Sequence, residues 1–85
     1  MNMVTVRYLG QFSAFTGGVK EESLEAASVK DVLKLIRERH GREAEKAART
    51  MIIALNGENI LLLQRYKTEL KAGDVLSFFP LSAGG

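Results

Sequence analysis

In this 85-residue chain the residues best suited to chemistry are the last six, Pro80-Leu81-Ser82-Ala83-Gly84-Gly85. Gly84 and Gly85 carry no Cβ, so the end of the chain is thin enough to thread a narrow channel, and the backbone of a host protein can approach it closely. An α-carboxyl has a reference pKa of about 3.3–3.7, so the Gly85 carboxylate is ionised at neutral pH and can attack the α-phosphate of ATP. A carboxylate is a poor acylating agent, whereas an acyl-adenylate is a good one. Six extended residues reach up to roughly 20 Å, enough to carry that carboxylate into a pocket of another protein. The adenylation itself needs a separate ATP-using enzyme, because the chain has no Gly-x-x-x-x-Gly-Lys-Ser/Thr phosphate loop. The alternative reading is a frayed end with no role.

Other reactive groups are scarce. There is no cysteine, which excludes a disulfide framework, a thiolate zinc site and a cysteine nucleophile. The single histidine, His40, leaves little material for a His-based metal site or a catalytic triad, and it reads as a cation at a helix end. Glu21, Glu22 and Glu25 form no pair at a spacing suited to acid–base work. Lys20, Lys30 and Lys71 could accept a conjugate, but nothing distinguishes one of them. The cations Arg37, Arg39, Arg42, Lys46 and Arg49 read as a solvated helix face: no aromatic residues interleave with them as single-strand binders require. The chain carries 12 Lys and Arg against 10 Asp and Glu, a surplus too small to mark a nucleic-acid partner.

These groups must be positioned by one domain, since a chain of this length buries only about 60–65% of its unfolded surface and has no room for a second, catalytic one. An apolar share of 46% and a charged share of 26% fit a folded globular chain and not a disordered one. The longest near-apolar runs, 51–55 and 60–63, are far too short to span a membrane. Met1-Asn2-Met3 lacks the basic-then-apolar pattern of a secretion signal, so the expected location is the cytoplasm. The division expected is a folded unit over 1–79 and a flexible tail over 80–85, separated at Pro80, the only proline.

Residues 3–9 alternate, with Val4, Val6 and Tyr8 on one face and Met3, Thr5, Arg7 and Leu9 on the other, which predicts a strand against a core. Thr16-Gly17-Gly18 supplies a chain reversal, and 19–25 reads as a second strand closing a hairpin with a long loop. Ser28 is an N-cap for a helix bearing Val29, Val32, Leu33 and Ile36 at i, i+3, i+4 and i+7. Asp31 favours its first turn, Arg37, Arg39 and His40 favour its last, and Gly41 ends it. A short helical continuation over 42–49 follows. Residues 51–56 predict a third strand with an Asn56-Gly57 turn, 60–63 a short strand or extended segment, and 75–79 the last strand, entered from a tight turn at 70–74. The sum is an α+β domain: a mixed sheet of four to five strands with one main helix on one face, the last strand beside the first.

One helix covers only one face of the sheet. With Val4, Val6 and Tyr8 turned toward it, Leu9 faces the other way, and so does Phe79 if Phe78 is inward. Alternation cannot bury every residue of 60–63 either, and Leu63 is the leucine expected outside. Leu9, Leu63 and Phe79 are therefore the expected partner-docking patch beside the tail. Three such side chains at roughly 1.5–3 kcal/mol each give a gross gain of very roughly 5–9 kcal/mol. That is comparable to the cost of association, so such encounters are exchangeable.

The chain resembles the small subunit of molybdopterin synthase and its relatives, the ubiquitin-like sulfur carriers of the β-grasp fold. The resemblance runs through V-x-V-x-Y-L-G-Q-F over 4–12 with Thr16-Gly17 after it, Ser28-Val29-Lys30-Asp31-Val32-Leu33, Leu70-x-x-Gly73-Asp74, and Phe78-Phe79-Pro80-x-x-x-Gly84-Gly85. It implies a cycle in which an activating enzyme, using ATP and magnesium, adenylates the Gly85 carboxylate. A persulfide sulfur donor then converts the adenylate to a thiocarboxylate. The tail, Pro80 to Gly85, next enters the large subunit of molybdopterin synthase, where two such sulfurs build the dithiolene of molybdopterin. The resemblance also implies that Leu9 and Phe79 dock on partners, that the catalytic residues belong to the partner, and that the carrier itself binds no cofactor or metal. Relatives with the same tail thiolate transfer RNA or are attached to lysines of other proteins, and a plain interaction module is the alternative of another class.

Overall fold

The structure, a computed structural model, describes residues 2–81. Its strands are β1 (Asn2–Tyr8), β2 (Glu21–Ala26), β3 (Ile52–Leu55), β4 (Glu58–Asn59) and β5 (Val75–Phe79), and its helices are α1 (Val29–His40) and α2 (Arg42–Arg49). The five strands form one sheet in the order β2-β1-β5-β3-β4. β1 and β5 run parallel at its centre, with Val6 opposite Leu76 and Tyr8 opposite Phe78. The other pairings are antiparallel. The two most apolar strands take the most buried positions, as their composition predicts.

The core lies between the sheet and α1. Val4, Val6 and Tyr8 of β1 and Leu76 and Phe78 of β5 meet Val29, Val32, Leu33 and Ile36, the whole predicted stripe of the helix. Ser28 caps that helix by accepting a hydrogen bond from the Asp31 amide at 3.3 Å. The Asp31 carboxylate reaches back to accept from the Ala27 amide at 3.0 Å, so two free donors at the helix start are satisfied together. Gly41 stops α1 at a φ of +104°, in the region glycine enters without a Cβ penalty. α2 then packs through Ala44 and Ala48, small residues one turn apart.

Two segments differ from the pattern read in the sequence. The long hairpin loop holds a 3-10 turn, Gly10–Ala14, whose Phe12 is fully buried. Phe15 stands three residues further on in the same loop and is exposed, and no strand or helix period in the sequence tells which of the two rings is buried. Residues 60–63 are not a strand: Ile60–Leu62 is a 3-10 turn, and the short fourth strand comes just before it. Asn59 sets the change by accepting a hydrogen bond from the Leu61 amide on its own side-chain oxygen, at 2.9 Å. With three residues per turn, Ile60 and Leu63 fall on the same side. Ile60 is buried and Leu63 packs against the core. Leu63, expected outside, is half-buried, and the most exposed leucines of the run are Leu61 and Leu62, at 62% and 77% exposure.

Candidate functional site

The site is the end of β5, from which the chain runs on toward Gly85. Strand alternation puts Phe78 in the core and leaves Phe79 42% exposed on the other face of the sheet. Ile52 is opposite Phe79 in the antiparallel register and is also exposed. One step beyond the Tyr8–Phe78 pair lies Leu9, half-buried, whose amide donates to the Phe78 carbonyl at 3.2 Å. Leu9, Phe79 and Ile52 thus join three adjacent strands into one apolar patch at the sheet end.

Pro80 ends the strand because it has no amide to donate. It is half-buried beside Gly10, and Leu81 beyond it is exposed. Leu81 borders two grooves. One runs between the Gly10–Ala14 turn and α2, lined by Phe15, Lys46, Ala47 and Pro80. The other runs along β3 to the turns at Ile60–Leu62 and Arg65–Lys67. Of the residues expected to carry the function, Leu9, Phe79, Pro80 and Leu81 lie at this end of the sheet, and Leu63 is half-buried against the core. Ser82, Ala83, Gly84 and Gly85 lie outside the described residues.

Beneath the patch a polar cluster fixes the end of β1. The Tyr8 hydroxyl donates to Glu22 Oε2 at 2.5 Å, and His40 Nε2 lies 2.7 Å from the same oxygen. Arg39 Nε donates to Glu22 Oε1 at 3.2 Å. Burial opposes ionisation of Glu22, yet the hydrogen bonds from Tyr8 and His40 and the charges of His40 and Arg39 outweigh it and hold its pKa below the ordinary carboxylate value. Burial, then the hydrogen bond to Glu22 and the charge of Glu22, push the Tyr8 hydroxyl well above its ordinary range. The Tyr8 ring meets Phe12 edge-on at 5.1 Å and His40 at 5.6 Å. The cluster therefore ties the first two strands and the end of α1 to the loop next to the patch. Sequence reading placed His40 at a helix end but had no signal for Glu22, which lies 18 residues away.

Among the described residues no group of three His, Cys, Asp or Glu side chains is placed to hold a metal ion, and no helix is long and apolar enough to cross a membrane. Of the cations read as a solvated helix face, Arg37, Arg39 and Arg49 are engaged by Glu45 or Glu22.

A five-stranded mixed sheet with a helix packed across it, and with its last strand parallel to its first, is the β-grasp, ubiquitin-like architecture. The chain belongs to the ThiS family, whose model matches residues 6–85, and is a ubiquitin-like sulfur carrier of that type. It is similar to the structure of a Pyrococcus furiosus protein described as molybdopterin converting factor, subunit 1, at 31% identity and a TM-score of 0.76, over 96% of this chain and 100% of that one. It is also similar to a chain of the Helicobacter pylori complex of subunits 1 and 2 of molybdopterin-converting factor, at 28% identity and a TM-score of 0.71, covering 98% of this chain and 99% of that one. Small archaeal modifier protein 1 of Methanosarcina acetivorans shares the fold at 23% identity and a TM-score of 0.86, over 100% of this chain and 98% of that one. Curated protein sequences give no match.

Proposed function

We propose that the chain is the sulfur-carrying small subunit of a molybdopterin synthase, with the Gly85 carboxyl as its reacting group. The observation that supports this most is the apolar patch of Leu9, Phe79 and Ile52 at the strand end that leads into the Gly-Gly tail. A surface of that kind lets a partner hold the folded unit while the tail, Pro80 to Gly85, enters the partner's own site. The similarity to the Helicobacter pylori subunit 1, which forms a complex with subunit 2, favours the large subunit of molybdopterin synthase as that partner.

The chemistry is built on the partners. A carboxylate oxygen of Gly85 attacks the α-phosphorus of ATP on the activating enzyme, the bond to the β-phosphate breaks, and magnesium pyrophosphate leaves. The outer sulfur of a persulfide donor attacks the acyl carbon and expels AMP, giving an acyl disulfide. A thiol cleaves that disulfide, pairs with the donor sulfur, and leaves the thiocarboxylate. On the large subunit the thiocarboxylate sulfur is passed to the pterin precursor and water restores the carboxylate. In this cycle the chain is a substrate-like subunit and not a catalyst, and its need for ATP supports a cytoplasmic location.

The test is reconstitution. Thiocarboxylated protein mixed with the large subunit and the cyclic pterin precursor should form a complex and yield the dithiolene. Thiocarboxylated protein that binds no large subunit and yields no dithiolene overturns the molybdopterin assignment and moves the chain to transfer-RNA thiolation or lysine conjugation.

A further inference from the structure

The patch around Phe79 does not account for the chemistry of the groove along β3. Its walls are apolar, Ile52, Ile60 and Leu61 among them, and each polar side chain lining it can donate: Arg49, Asn59, Arg65 and Tyr66. Among its described lining residues there is no carboxylate. The Asn59 side-chain oxygen accepts from the Leu61 amide at 2.9 Å, which leaves its NH2 hydrogens to donate. Arg49 lies over the Tyr66 ring, 5.2 Å from its centroid, and is bonded to Glu45 at 3.0 Å. Arg65, by contrast, makes no salt bridge among the described residues. It also sits at a φ of +54°, a left-handed conformation that Gly or Asn adopts at lower cost. The groove is suited to a carboxylate, and Arg65 is the cation without an acid of its own.

Leu81 forms the mouth of this groove, and four residues follow it, Ser82-Ala83-Gly84-Gly85. They extend up to roughly 14 Å, they need no side-chain pocket, and their one charge is the terminal carboxylate. From the donors and the tether we infer that the groove is the resting place of the chain's own tail, with the Gly85 carboxylate on the Arg65 guanidinium. A guanidinium offers two parallel N–H donors to the two carboxylate oxygens. A tethered end meets such a site at an effective concentration in the millimolar range, which a free partner's carboxylate at micromolar concentration does not match.

The other groove that Leu81 borders is the rival seat. Lys46 lines it, but so does Glu43, and neither makes a salt bridge among the described residues. A carboxylate there meets one charge of each sign, whereas along β3 it meets cations alone. A thiocarboxylate bears the same single charge, so the seat serves either form of the terminus. A partner that takes the tail draws it off Arg65, whichever pathway the carboxyl serves.

The experiment uses the full-length protein alone and dilute. Arg65→Lys keeps the charge and puts an amine at the seat, so a carbodiimide joins that amine to the Gly85 carboxyl as an amide with net loss of one water. Peptide mapping should find the Gly85 link at position 65 about tenfold more often than at Lys46, in the rival groove, or Lys20, beside the end of β1. In the wild type the Gly85 carboxyl, followed by carbon NMR, should titrate below its ordinary range of about 3.3–3.7. Arg65→Gln should return it to that range and move the Gly84 and Gly85 amide signals, while Lys46→Gln leaves them in place. Arg65→Gly relieves the backbone and so keeps or raises the thermal midpoint, yet should release the tail as Arg65→Gln does. A dominant link to Lys46 overturns the seat, and equal links to all three lysines, or a titration that Arg65→Gln does not change, overturn the docking. Links that join two copies also overturn it, since the occupant is then another molecule's tail. Each of these contrary results leaves the sulfur-carrier reading standing.

Discussion

Phe78 and Phe79 are consecutive in β5 and face opposite sides of the sheet, the first packed into the core against Tyr8 and Phe12, the second 42% exposed at the strand end. Their substitution should separate stability from recognition. Phe78→Ala removes a fully buried ring and should cost about 3–5 kcal/mol, a large share of the roughly 5–15 kcal/mol typical of a domain. Phe79→Ala should cost well under half of that and weaken partner binding instead. Urea denaturation and titration calorimetry with the large subunit check the two effects.

The Glu22 cluster makes stability depend on pH in two windows. Because the folded-state pKa of Glu22 is lowered, its contribution is present above the ordinary glutamate range, about 4.3, and is lost as pH falls through the lowered value. Because the Tyr8 value is raised, its contribution is present below about 10, the ordinary tyrosine value, and is lost as pH climbs beyond that. Glu22→Gln should flatten the acid limb and cost about 1–3 kcal/mol at neutral pH. Tyr8→Phe should remove the alkaline limb. Thermal midpoints measured across pH test both.

Helix α1 should depend measurably on its cap. Ser28→Ala removes the acceptor for the Asp31 amide and should cost about 1 kcal/mol, lowering the midpoint by about 4–8 °C in a domain of this size. Ser28→Asp should recover most of the loss, and calorimetry distinguishes the two.

Asn56 joins the turn after β3 to the start of β5. Its side-chain amide donates to Asp74 at 3.0 Å and its side-chain oxygen accepts from the Val75 amide at 2.9 Å, while its φ is +51°. Asn56→Ala loses both bonds and keeps an unfavourable φ, so it should cost about 2–3 kcal/mol. Asn56→Gly loses the bonds but not the turn and should cost less. Denaturant midpoints in the order Asn56, Gly, Ala are expected.

Much of this fold is legible in the chain because burial follows period. Val4, Val6 and Tyr8 at a spacing of two, and Val29, Val32, Leu33 and Ile36 at helical spacing, all lie in the core. Ser28 and Gly41 bound α1 as their chemistry requires. What the sequence hid is non-periodic or non-local. Phe12 shares its loop with other apolar residues, Phe15 among them, and only the closed hairpin shows which of the two rings is buried. The run 60–63 is uniformly apolar, so neither a strand nor a 3-10 turn stands out, and the side chain of Asn59 decides between them. That decision left Leu63 half-buried and Leu61 exposed. At the site, Leu9 and Phe79 followed from alternation alone, whereas Ile52 entered through a register that no local pattern reveals.

The central claim is that the carboxyl of Gly85 is activated and converted to a thiocarboxylate. The most direct measurement is the intact mass of the full-length protein after incubation with ATP, magnesium, the activating enzyme and a sulfide or persulfide source. The account predicts that one oxygen is replaced by one sulfur, that the change maps to the C-terminal peptide, and that it disappears when Gly85 is deleted. An unchanged mass in the presence of an activating enzyme that modifies another carrier would contradict it.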